Sequence, residues 1–107
     1  MTDEILNNRL LVLNQGDYPD YFRKLFSGNR QALVDSWEVP PDLLKRITCP
    51  LTMVHGRNDL PCPYEETAEQ IIKSVPHADV MLLARCGHSP ALEHPSKLIA
   101  AATLLFG

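Results

Sequence analysis

Two stretches of this chain share one shape. "LTMVHGRND", Leu51 to Asp59, and "DVMLLARCGH", Asp79 to His88, each run through apolar residues, reach a glycine and stop on a side chain able to carry chemistry. A short continuous apolar run bounded by turn residues marks a strand buried on both faces, as in parallel sheets. Between the two lies a helical pattern, with Tyr64, Ala68, Ile71, Ile72 and Val75 on one face. Pro63 suits the first helical position, Glu65 and Glu66 suit the positive N-terminal end, and Pro76 stops the helix. Strand, crossover helix and strand make a right-handed parallel unit whose two following loops leave the same end of the sheet. Sites in open α/β sheets gather at that end, and Asp59 and His88 both fall there. Taken alone, Asn58 and Asp59 also read as plain turn residues, since their side chains bond back to nearby backbone.

The flanking segments complete an α/β pattern. Pro95 opens a final helix, "SKLIAAATLLF", apolar almost all round and closing on Gly107. The beginning of the chain is helical instead. Ile5, Leu6, Leu10 and Leu13 recur at helical spacing, and Tyr18, Phe22, Leu25 and Phe26 share a face before Gly28. A third helix carries Leu33, Val34 and Trp37, with Asn29 as its cap and "EVPPD" as its end. Asp42 is then expected to cap a last turn, "LLKRI". The expected organisation is a helical segment over residues 1–41 and a β-α-β-α unit over 42–107. Aromatic and leucine stripes of this kind are packing surface first, so residues 1–41 receive no chemistry.

Composition narrows the function. At 107 residues, 45% hydrophobic and 21% charged, the chain is one soluble domain with material for a modest core. A net charge of -3 and no basic cluster make nucleic acid and anionic membranes poor partners. The opening "MTDEILNNRL" is not leader-like and no apolar run nears the roughly 20 residues of a bilayer span, so a cytoplasmic protein is expected. Cys49, Cys62 and Cys86 are odd in number and form no C-x-x-C pair, which points to reduced thiols. Cys86, His88 and His94 match no recurrent metal spacing, and no metal or cofactor is expected.

"CPLTMVHGRNDLPCP" followed by "DVMLLARCGHSPALEHPSKL" resembles the C-terminal third of an α/β-hydrolase of the esterase, haloperoxidase and carbon–carbon bond hydrolase type. The resemblance covers roughly residues 42–107 and implies that Asp59 is the acid and His88 the base of a Ser-His-Asp triad, in that family's order of acid before histidine. Residues 1–41 resemble part of the cap such enzymes insert ahead of this segment. A neutral imidazole must take the proton of a serine hydroxyl, and a buried carboxylate holds the imidazole in one tautomer and stabilises its charged form. The family's nucleophile sits in a G-x-S-x-G elbow, and none of Ser27, Ser36, Ser74, Ser89 and Ser96 is framed in that way. Ser89 adjoins His88 and points away from it; Cys62 and Cys86 lie in the functional loops as other candidates, with gap-filling as their plainer role. His55, His77 and His94 have structural readings at a strand end, a turn and a helix start, and Glu93 is expected to bind backbone or a cation.

The expectation is therefore a truncated α/β-hydrolase fold, inactive alone and similar to ester or carbon–carbon bond hydrolases if completed. The alternative is a non-catalytic binding or assembly module descended from a hydrolase. A small-molecule ligand fits the first reading. In either case strand 51–55 lacks one neighbour of the complete fold, and an apolar sheet edge recruits another chain, so a homo-oligomer is expected.

Overall fold

The computed structural model describes residues 2–107, which divide into two compact units at Glu38 and Val39. The first unit holds α1 (Asp3–Leu13), α2 (Tyr18–Leu25) and α3 (Arg30–Asp35). Thr2 caps α1 by accepting the Ile5 amide, and Asn29 caps α3 by accepting that of Ala32, as its sequence position implies. Along α2 and its cap the rings of Tyr18, Phe22 and Phe26 follow one another turn by turn, the first pair stacked and the second tilted with centroids 4.6 Å apart. Trp37 lies beyond α3 rather than on its stripe, because Ser36 already ends the helix. No described residue of this unit is buried.

The second unit runs α4 (Pro41–Leu44), β1 (Thr52–Gly56), a single 3-10 turn (Tyr64–Glu66), α5 (Ala68–Ser74), β2 (Asp79–Leu83), α6 (Pro90–Glu93) and α7 (Pro95–Phe106). The two strands pair in parallel with Thr52 opposite Asp79 and Gly56 opposite Leu83. The amide of Asp79 also donates to the Leu51 carbonyl at 2.9 Å, which extends the ladder by one bond. The core is small: Ala68, Val75, Leu83, Cys86 and Ala101 are the buried apolar residues among those described.

Two local expectations are corrected. Asp42 lies inside the first turn of α4, whose cap position is Pro40, and its carboxylate pairs with Lys45. The crossover helix starts five residues after Pro63, because the chain first makes the 3-10 turn and the Thr67 hydroxyl then bonds back to the Pro63 carbonyl at 2.7 Å. The helix α7, apolar almost all round, buries only Ala101 and leaves Ile99, Leu104 and Phe106 exposed. Among the described residues no helix is long and apolar enough to cross a membrane.

Candidate active site

The loops after β1 and β2 touch backbone to backbone. Gly56 ends β1, and a side chain there would overlap the carbonyl oxygens of Cys86 and Gly87, so only glycine lets the loops meet. Two hydrogen bonds hold the contact: the Arg57 amide donates to the Leu83 carbonyl at 2.9 Å, and the Asn58 amide to the Cys86 carbonyl at 2.8 Å. This seam fixes where the next residue of each loop points.

On the first loop that residue is Asp59, whose side chain is only 6% exposed. Its Oδ1 accepts the Cys62 amide at 2.9 Å, the local turn bond that the residue type favours. The same carboxylate faces the second loop, where Nδ1 of His88 lies 3.0 Å from each of its oxygens. Asp59 thus makes the local turn bond and faces His88 at the same time. A carboxylate can only accept, so Nδ1 carries the proton and the lone pair of neutral His88 sits on Nε2. That nitrogen has no hydrogen-bond partner among the described residues, and the ring is 59% exposed. His55 stands behind the pair, its Nε2 donating to the Cys62 carbonyl at 2.9 Å and lying 3.7 Å from Asp59 Oδ2.

The loop bearing His88 is held from the other side by Glu93 on α6. Its carboxylate accepts the Gly87 amide at 3.0 Å through both oxygens and the Ser89 amide at 3.2 Å, holding the N–H groups of the two residues that flank His88. His94 adds a bond from Nε2 to the Arg85 carbonyl at 2.9 Å, where Arg85 turns the chain in the left-handed region at φ 52°. Of the two roles expected for Glu93, the backbone one is observed. His94 holds the cap position of α7 without a side-chain cap bond; its ring instead ties the start of that helix to the turn after β2.

These contacts set the charges. Burial pushes the Asp59 carboxyl upward, the largest single influence, yet the His88 hydrogen bond, the Cys62 amide and the charges on His88 and His55 together bring it below its ordinary 3.8. Glu93 is held below its ordinary 4.5, first by the Gly87 amide, against burial and with help from the Ser89 amide and His94. The Cys86 thiol is pushed up, first by burial and then by the neighbouring Glu93 carboxylate, which makes it a poor nucleophile. Cys62 differs: its sulfur and single donor atoms of Asp59 and His88 all lie within 4.8 Å of one another. His77 is far from this cluster in role, bonding the Cys49 carbonyl beside the beginning of β1.

A β-α-β unit with a carboxylate and an imidazole paired across its two C-terminal loops defines a class of hydrolase core. The chain belongs to the alpha/beta hydrolase family, whose model matches residues 3–102. It is similar to the pimeloyl-(acyl-carrier protein) methyl ester esterase of Nitrosomonas europaea, at 32% identity over 57 residues, covering 53% of this chain and 22% of that protein. It is also similar to the 2-hydroxy-6-oxononadienedioate/2-hydroxy-6-oxononatrienedioate hydrolase of Burkholderia vietnamiensis, at 28% identity over 98 residues, 91% of this chain and 32% of that one. The chain thus spans less than a third of the length of either relative.

Proposed function

We propose that Asp59 and His88 are the acid and base of a Ser-His-Asp type hydrolase, acting on a nucleophile supplied from outside these 107 residues. The observation that carries this reading is the bidentate 3.0 Å approach of a buried carboxylate to Nδ1, with Nε2 left open to solvent. In the reaction Nε2 takes the proton of the attacking hydroxyl while the Nδ1 proton stays between ring and carboxylate. The resulting imidazolium is stabilised by ionised Asp59 and then returns its proton to the leaving group. The resemblance makes the substrate class an ester or a carbon–carbon bond, and one relative is named as a methyl ester esterase. Residues 1–41 correspond in this reading to part of the cap segment that such hydrolases insert ahead of the acid-bearing strand. Three free cysteines suit a reducing, cytoplasmic setting.

The absence of a G-x-S-x-G elbow supports the further reading that the chain alone is inactive, as acid and base attack nothing by themselves. An activated aryl ester tests it. The purified chain is expected to turn over no faster than free imidazole, and a fusion behind a segment carrying the elbow and oxyanion donors is expected to gain saturable turnover that Asp59→Asn and His88→Ala remove. Saturable turnover by the chain alone, lost in His88→Ala, refutes the missing nucleophile. A folded fusion that stays inactive favours the non-catalytic module.

Assembly through strand 51–55 belongs to the same proposal. Among the described residues β1 pairs only with β2. Between the two strands and α7 lies an open groove of about 310 Å³ whose lining includes Thr52, Asp79, Met81, Ala101 and Leu104, at the strand ends remote from Asp59 and His88. The strand edge without a partner among the described residues favours a second copy of the chain. Light scattering is expected to give a homodimer or larger assembly, and a folded monomer at micromolar concentration contradicts it.

A further inference from the structure

We propose that Asp59, Cys62 and His88 form a zinc site, in which the ion takes three protein ligands, leaves its fourth position to water and switches off the base. A carboxylate oxygen, a thiolate and an imidazole nitrogen are a donor set that zinc accepts, with bonds of roughly 2.0–2.3 Å in a tetrahedron. One donor atom from each residue already lies within 4.8 Å of the others, so closure onto an ion requires only a small inward movement. The half-exposed His88 ring can make it.

The thiol is held in place by its own backbone. The Cys62 amide donates to Asp59 at 2.9 Å and its carbonyl accepts from His55 at 2.9 Å, so both peptide groups around the side chain are fixed. The Cys62 thiol makes no hydrogen bond among the described residues, whereas the Cys86 thiol contacts the Gly87 carbonyl and Glu93. His55 also supplies a positioning bond behind the ligands, of the kind that orients metal-binding groups. The burial of Asp59 and the exposure of His88 leave one open side for entry.

Binding releases the thiol proton to solvent, since zinc takes the thiolate. Coordination through His88 Nδ1 moves that nitrogen's proton to Nε2, so the ion replaces the Asp59–His88 hydrogen bond and leaves Nε2 without the lone pair a base needs. The metal-bound state and the acid–base pair are therefore mutually exclusive. The inference does not depend on the chain having a nucleophile.

The test is titration of the reduced chain with Co²⁺ as a spectroscopic substitute, followed by Zn²⁺ competition. Thiolate-to-cobalt charge-transfer absorption and visible bands of a tetrahedral ion are expected, abolished by Zn²⁺ and by Cys62→Ser. Asp59→Asn and His88→Ala are each expected to weaken binding by about 100-fold or more, beyond the 10–100-fold typical of groups one step removed from the metal. Circular dichroism checks that each variant is folded. Cys49→Ser and His77→Ala, which alter the other neighbouring cysteine–histidine pair, are expected to leave the spectrum unchanged. Absorption that survives Cys62→Ser, disappears with Cys49→Ser, or never develops at all overturns the proposal.

Discussion

Gly56→Ala is the most informative single change, because it strikes the seam that brings the two loops together without touching Asp59 or His88. A Cβ built at Gly56 lies 2.7 Å from the Cys86 carbonyl carbon and closer still to the oxygens of Cys86 and Gly87, where ordinary contact begins at 3.4 Å. All three obstructing atoms are backbone, so the loops must separate by about an ångström. Overpacking of this kind costs about 1–3 kcal/mol, and the two amide–carbonyl bonds across the seam contribute about 0.5–1.5 kcal/mol each. A loss of about 2–6 kcal/mol follows, a large part of the 5–15 kcal/mol that stabilises a typical domain. In a urea titration with a slope near 1 kcal/mol/M, the midpoint falls by about 2 M or the fold is lost. Gly87→Ala is the control: its Cβ would meet only the Glu93 carboxylate, at 3.4 Å or more, and its φ is not positive. It is expected to change stability by no more than about 0.5 kcal/mol. Equal midpoints for the two variants would refute the idea that the seam is sterically restricted to glycine.

Acid should weaken the fold through the same loops. Asp59 and Glu93 both have folded values below their ordinary 3.8 and 4.5, so the folded chain binds fewer protons than the unfolded one in that range. Their contribution is complete above the ordinary values and disappears as pH falls through the lower, folded ones; urea midpoints between pH 6 and 3 are expected to drop less steeply in Asp59→Asn and Glu93→Gln, and an unchanged slope contradicts this. Thiol labelling with iodoacetamide is expected in the order Cys49, Cys62, Cys86, because the first is exposed, the second half-buried, and the third both buried and raised in pKa. Early labelling of Cys86 in the folded chain would show that its pocket opens.

The sequence made the two paired side chains of the candidate site legible and left their supports hidden. Asp59 and His88 are found by order and context, since a strand, a helix and a second strand bring successive loop tips together whatever fills the core. Gly56 is invisible to that reasoning, as its role is a close approach between segments distant in sequence. The Glu93 clamp was legible only as a preference for backbone or a cation, because the extra helix α6 that presents it is four residues long and starts at Pro90. The proximity of Cys62 to both site residues could not be read at all: it depends on how the 62–67 segment tightens into a 3-10 turn before α5 begins. In the first unit the aromatic stripe of α2 emerged as expected, and the limits of α3 did not, because Ser36 and two following turn bonds end it ahead of Trp37.

The central claim is that His88 is held by Asp59 with its proton on Nδ1 and its lone pair on Nε2. Nitrogen-15 NMR of the histidine rings at a pH where His88 is neutral reads this tautomer directly. The account predicts the Nδ1–H form for His88 in the unaltered chain, and its loss or mixing in Asp59→Asn, while His55 keeps the Nε2–H form that its bond to the Cys62 carbonyl requires. A predominant Nε2–H form of His88, or a tautomer unaffected by Asp59→Asn, would contradict it.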